Sequence, residues 1–346
     1  MEQIRIKTGA RSRLYKRLPD LADECSSLLT YLDGNHEISD IAERTGMNRL
    51  RVEWLVNEMH QAHLLDVRES SIIIADRQLS KVRARALKNS GAATDASYEQ
   101  IHRKMKAELT LLTWRDGVDD GGVSMLSARQ DCDIEITGLS RLITPLAAIL
   151  VASGVTRTRI SPVERIGREK VEVEDLTGHV LDISDVGSHY FSRVSEKIKS
   201  CALFAAPREI PEEQSSFLRI HFGVPSDEQR GMWEQRGENY LVVAPPSSAS
   251  FSMGPLVVAH RSPCARCAEL AKSEREKEFA EELDGYEIPV AQTHYIAGLI
   301  ADQVLRYIDT GLCESLGAVI EFDFLHPFEI KRRELVLHPL CGCAFM

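Results

Sequence analysis

The sequence predicts an α/β protein: an N-terminal winged helix-turn-helix domain, then a larger doubly wound α/β domain stapled by a structural metal. Three observations predict it. Residues 133–160 read as strand, turn, helix, strand; residues 1–68 read as short strands with three helices; and two cysteine doublets, Cys264 with Cys267 and Cys341 with Cys343, stand far apart in the chain. At 346 residues and 43% hydrophobic composition, the chain exceeds what one core usually serves, which predicts two domains.

The doublets come first because their spacing is the strongest chemical signal. Each short-spaced thiol pair supplies half of a tetrahedral zinc site, and the metal joins the two distant segments. Four thiolates close the coordination sphere, so Zn²⁺ held by Cys264, Cys267, Cys341 and Cys343 would stabilise the fold and leave no open position for a reacting water. No secretory leader is read at residues 1–5, so a cytoplasmic location with reduced thiols is expected in place of disulfides. Cys25, Cys132, Cys201 and Cys313 have no paired spacing and are expected in the core.

Composition excludes broad classes of partner. No apolar run reaches the roughly 18 residues of a membrane span. A net charge of −10 argues against general affinity for nucleic acid or anionic membrane. Within residues 1–68, ten Lys/Arg face eleven Asp/Glu, which leaves little counterion release to drive DNA binding even though Arg49 and Arg51 begin the third helix.

In that domain, residues 3–7 and 13–16 are expected as strands joined at Gly9-Ala10-Arg11. Helices are expected over residues 20–32, then through Ile38, Ile41 and Ala42, then through Val52, Leu55, Val56, Met59 and Leu64, with Thr45-Gly46-Met47 as the helix-to-helix turn. Such a domain can bind peptide: an extended segment adds to a strand edge and sets apolar side chains beside the third helix. Leu14, Tyr15, Trp54 and Met59 are the candidate groove residues, against the alternative that they are core. Residues 69–122 read as a partly helical connector, with a hinge composition at 89–94, a helical run at 98–106 and turn chemistry at 116–122.

The large domain, 123–346, begins with a strand at 133–136, a turn at Gly138, a helix at 145–152 ended by Ser153-Gly154, and a strand at 158–160. Near its end, residues 319–324 and 330–337 read as a hairpin around His326-Pro327 that returns Cys341 and Cys343 to the first doublet. His338 is expected to support the thiols without ligating. No nucleophile elbow or catalytic histidine constellation is recognisable.

From about Asp133 to Met346 the chain resembles the ThiF/MoeB superfamily of ubiquitin-activating-like adenylating enzymes, whose Rossmann-type body carries zinc in the same doublet layout. More narrowly, it is similar to the ThiF-like leader-peptide-binding partners of YcaO cyclodehydratases in azole-forming peptide biosynthesis. The likeness rests on Gly254-Pro255-Leu256-Val257-Val258 running into Ser262-Pro263-Cys264-Ala265-Arg266-Cys267, on the helix from Ala297 to Tyr307, and on His338-Pro339-Leu340-Cys341-Gly342-Cys343, with Asp185-Val186-Gly187 as a weaker match. Residues 1–68 resemble the winged-helix element of such proteins. The superfamily's glycine-rich phosphate turn falls on Gly138-Leu139-Ser140-Arg141-Leu142-Ile143, where side chains replace three glycines and would fill the space that phosphates need. The acidic residues expected after the second strand are replaced by Ser161-Pro162-Val163, with only Glu164 near.

The resemblance therefore implies a non-catalytic subunit that binds a precursor's leader and presents the core to a YcaO-type, ATP-using cyclodehydratase. A homodimer is a further implication. The alternative is an enzyme that adenylates a peptide carboxylate or amide, and a third possibility is a transcriptional regulator with a zinc-stabilised sensor domain.

Overall fold

The computed structural model describes residues 4–7, 10–66, 95–115, 117–161, 169–178, 180–202, 217–246, 250–272, 288–326 and 328–343. They form two compact units, Met1–Ser127 and Ala128–Met346.

In the first unit, β1 (Arg5–Ile6) is followed by α1 (Ala10–Arg17), α2 (Ala22–Leu28), α3 (Ile38–Thr45), α4 (Arg49–Gln61) and β2 (Leu65–Asp66). β1 and β2 pair antiparallel, Arg5 opposite Asp66 and Ile6 opposite Leu65. The expected strand at 13–16 is a helix. Ala10 and Leu14, four residues apart, both enter the core, and β1 takes its partner from beyond α4. Gly46 ends α3 at φ +68°, a left-handed cap, and the Asn48 side chain accepts from the Leu50 amide to start α4. Leu14, Cys25, Leu28, Leu32, Val52, Leu55, Met59 and Leu64 make the core of this unit.

A long helix, α5 (Asp95–Leu112), carries the chain onward, and the run at 98–106 lies within it. The hinge at 89–94 lies outside the described residues. Residues just after α5 are tied to the start of the chain: the Lys7 ammonium, almost fully buried, donates to the carbonyls of Thr113 (2.7 Å) and Val118 (2.6 Å) and pairs with Asp66 at 3.8 Å. Arg13 lies over the Trp114 ring, 4.0 Å from its centroid. Burial holds the Lys7 pKa below that of a free lysine, with Asp66 opposing the shift.

The second unit is built on a seven-stranded sheet. Its members are β3 (Asp133–Gly138), β4 (Arg157–Ser161), β5 (Leu218–Phe222), β6 (Tyr240–Val243), β7 (Ser250–Val257), β8 (Ala318–Asp323) and β9 (Ile330–Glu334). In space they run β4-β3-β5-β6-β7-β8-β9, the first four parallel and the last three antiparallel. α6 (Val123–Asp131) leads into β3, and α7 (Ile143–Ala152) connects β3 to β4, fulfilling the expected strand-helix-strand unit. α8 (Tyr190–Cys201), α9 (Asp227–Gln235), α10 (Ala265–Leu270) and α11 (Val290–Thr310) complete the unit.

One face of the sheet joins α7, α8 and α11 through Ile134, Ile136, Leu146, Leu150, Val194, Ile220, Ile300 and Val304. Residues that alternate with these along the strands are polar. Glu135 is paired with Arg159 at 3.1 Å and Arg219 at 2.7 Å, and accepts from Ser161 at 2.7 Å; Asp133 meets Arg157 at 3.5 Å. Arg129, at the end of α6, forms a buried two-pronged pair with Asp309 at 2.7 Å and donates to the Ser153 carbonyl. Because the chain turns from β3 to β4 on one side and to β5 on the other, β3 and β5 flank a topological switch point.

Candidate functional site

The fold brings all four cysteines of the doublets together. β7 runs into the loop that places Cys264 at the start of α10 and Cys267 one turn later, while β9 and the segment after it return Cys341 and Cys343. One ligand atom from each of the four lies within 4.8 Å of every other. The Sγ–Sγ separations are 3.9 Å for Cys264–Cys267, 3.3 Å for Cys264–Cys341 and 3.4 Å for Cys267–Cys343. A tetrahedron with zinc–sulfur bonds of about 2.3 Å has edges of about 3.8 Å, so the cluster is close to the size that one such ion requires. Trp233, Tyr240, Val242 and Val257 wall the cluster on its inner side.

Electrostatics inside the cluster are those of thiols crowded together. Burial pushes the Cys264 thiol far up and the Cys343 thiol up to about 12. Burial also works against the Cys267 thiolate, but the amides of His338 and Cys264 and the thiols of Cys343 and Cys341 hold it below the ordinary thiol range. The His338 amide lies 3.4 Å from Cys267 Sγ, and its ring nitrogen accepts from the Leu340 amide at 3.2 Å. His338 thus shapes the turn that delivers Cys341, as expected of a supporting residue.

The second feature lies at the carboxyl ends of the parallel strands, where α/β sheets place their ligands. Leu139, Ser140 and Leu142 follow β3, Phe222 ends β5 with Gly223 after it, Val243 ends β6 with residues 244–246 after it, and Phe251 and Ile288 complete a half-enclosed crevice of about 110 Å³. Among the described residues its lining carries no acidic or basic side chain. Three of its backbone donors are engaged: the Leu142 amide bonds Ser140 Oγ at 3.2 Å, the Gly223 amide the Val243 carbonyl at 2.9 Å, and the Ala244 amide the Ser252 carbonyl at 3.1 Å. At the mouth of α7, the Ile143 amide is taken by the Ser140 carbonyl at 3.2 Å. A phosphate site at a helix N-terminus needs those amides free.

Gly138 is required by the strand packing. At φ +98° its missing Cβ would stand 2.1 Å from the Phe222 carbonyl oxygen, so only glycine lets β3 and β5 approach. Arg141, expected in the phosphate space, instead donates to the Ile288 carbonyl at 2.7 Å, and Ile143 is buried in the core. Pro162, Val163 and Glu164 lie outside the described residues.

The four proposed groove residues separate into two kinds. Leu14 and Met59 are core side chains, 1% and 0% exposed, so they face inward and are closed to a bound peptide. Tyr15 and Trp54 are on the surface, 60% and 40% exposed. Helix α2 links them: Asp23 accepts the Tyr15 hydroxyl at 3.0 Å, and Glu24 holds Arg51, whose guanidinium lies 4.3 Å from the centre of the Trp54 ring. Leu50, one turn before Trp54 on α4, is 73% exposed and was missed, although its i, i+4 spacing was readable. Arg49 is likewise engaged, by Glu53 at 2.8 Å. The crevice lining after β5 and β6 also carried no recognisable motif.

No family model matches the chain, and no curated protein matches it. Solved structures do. E. coli MccB with AMPCPP and MccA is 11% identical at a TM-score of 0.65, over 94% of this chain and 90% of that one. The microcin C7 biosynthetic enzyme MccB in complex with N-formylated MccA is 11% identical at 0.64 over the same shares, and PaaA is 14% identical at 0.64 over 92% of this chain and 91% of its own. At such identities the likeness is one of fold.

Proposed function

We propose that this chain is a ThiF-like, non-catalytic recognition subunit. It captures the leader of a ribosomally made precursor peptide and presents the core to a separate YcaO-type cyclodehydratase, which supplies the ATP chemistry of azoline formation. The observation that carries the reading is the crevice. Where an adenylating relative needs free helix amides and charged groups for triphosphate and magnesium, the described lining here has uncharged side chains, and the Leu142 and Ile143 amides are already bonded to Ser140.

Support for the peptide half comes from the first unit and from the shared fold. MccB has been solved with the peptide MccA, and the helices and two-stranded antiparallel sheet of the first unit are compatible with the winged helix-turn-helix of this proposal. In this proposal Tyr15, Trp54 and Leu50 select the leader, and holding it makes the encounter of core and enzyme intramolecular, which raises the effective concentration of a weakly recognised core. Zn²⁺ in the Cys264–Cys267–Cys341–Cys343 cluster would fix the end of the chain to α10 and take no part in chemistry.

A second reading has one specific observation in its favour: MccB, of like fold, has also been solved with ATP. In that reading the chain adenylates its peptide. Fluorescence anisotropy with a labelled leader from a neighbouring reading frame tests capture, and ATP–pyrophosphate exchange tests activation. Leader binding without exchange is the outcome expected. Exchange that depends on the peptide selects the second reading, and failure to bind any encoded leader removes the first.

A further inference from the structure

The crevice described above is unsuited to a nucleotide, yet it remains a cavity of about 110 Å³ at the place where this sheet architecture positions ligands. Its chemistry specifies an occupant. The walls are Leu139, Leu142, Phe222, Val243, Phe251 and Ile288, no described lining residue is charged, and the Leu142, Gly223 and Ala244 amides are spent on internal bonds. Ser140 and parts of the main chain add polar surface to these walls, so the crevice suits a neutral group, whereas an ionised one would lose water and meet no opposite charge among the described lining residues. Pro245 and Pro246 donate no amide hydrogen, and they stiffen the rim. Enclosed apolar cavities of about 150 Å³ hold benzene, and a slightly smaller cavity that is open on one side can hold a ring whose attachment points outward.

We propose that the crevice receives one neutral apolar side chain, aromatic or branched aliphatic, of the peptide this protein handles. The proposal rests on the peptide reading and adds a specificity-determining subsite to it: a core or leader segment carrying such a residue is anchored where a relative would hold nucleotide. The rim faces the peptide's own backbone, and the Leu142, Gly223 and Ala244 amides need no partner from it.

Methyl-labelled full-length protein, titrated with N-acetyl-phenylalanine amide, N-acetyl-leucine amide, N-acetyl-glutamate amide and magnesium-ATP, tests this by NMR. The phenylalanine and leucine amides should give saturable shifts at Leu139, Leu142, Val243 and Ile288 methyls, with affinity on the order of 1 mM, and the glutamate amide none. Ala244→Leu, which fills the cavity, should weaken the phenylalanine amide at least about tenfold with an unchanged melting midpoint. Leu139→Ala, which widens it, should shift preference toward N-acetyl-tryptophan amide. Equal shifts from the glutamate amide, saturable shifts at these methyls from magnesium-ATP, or insensitivity to both substitutions would overturn the proposal. Leader capture is measured separately by anisotropy, so an empty crevice in a leader-binding protein removes the subsite alone, and a filled crevice without leader capture keeps the subsite and removes the leader.

Discussion

Replacing Cys341 with serine separates what a metal does from what packing does. Cys341 is only partly buried and touches Cys264 at 3.3 Å, so as a simple thiol its loss costs within about 1 kcal/mol. As one of four ligands it carries a share of the roughly 10 kcal/mol or more that a structural zinc contributes, and its loss removes several kcal/mol. A unit the size of Ala128–Met346 shifts by about 2–4 °C per kcal/mol. The packing-only case therefore predicts a drop under about 4 °C, and the metal case a drop beyond about 10 °C. Calorimetry with and without a chelator, beside elemental analysis of zinc per chain, reads the difference. Wild-type protein without stoichiometric metal, insensitive to chelator, and a Cys341→Ser midpoint within about 4 °C of it would refute the reasoning.

Three further outcomes follow from the geometry. His221 is buried against Trp233 and bonded to Thr137 at 2.9 Å, and burial, aided by Arg219, pushes its pKa down to about 4. The unfolded chain then binds more protons than the native one between about pH 4 and 6.5, so stability falls as pH drops through that window, by at most about 3 kcal/mol. His221→Gln should flatten this part of a denaturation-versus-pH curve. Gly138→Ala places a Cβ 2.1 Å from the Phe222 carbonyl at a left-handed φ, and should lower the chemical denaturation midpoint by about 2–5 kcal/mol equivalent; a shift under 1 would mean that β3 and β5 separate freely. Trp54→Ala should weaken a leader by about 1–3 kcal/mol in anisotropy titrations while leaving the melting midpoint within a few degrees, because the ring is 40% exposed.

Local signals were legible and long-range ones were not. The thiol cluster could be read because each doublet is a short-range spacing, and only one fold-level fact, the return of the tail, had to be supplied. The unit from Asp133 to Ser161 was legible for the same reason, since helix α7 is apolar but for Thr144 and ends at Ser153-Gly154. The strand expected at residues 13–16 failed because four residues, Arg-Leu-Tyr-Lys, are too few for their own polarity to separate a strand period from a helical one. The deciding facts, the burial of Ala10 with Leu14 and the pairing of β1 with Leu65–Asp66, come from residues four places back and some fifty places on. Leu14 and Met59 show a related limit: periodicity finds the apolar face of a helix but cannot tell a core from a groove. The crevice assembles from the ends of four strands and Ile288, and no single stretch of chain encodes it.

The central claim is that this body holds a peptide without activating it. ATP–pyrophosphate exchange by the purified full-length protein, with its precursor peptide and magnesium present and no YcaO-type partner, tests that directly. Label incorporation into ATP should stay at the level of the protein-free control, and incorporation that rises with peptide concentration would contradict the account.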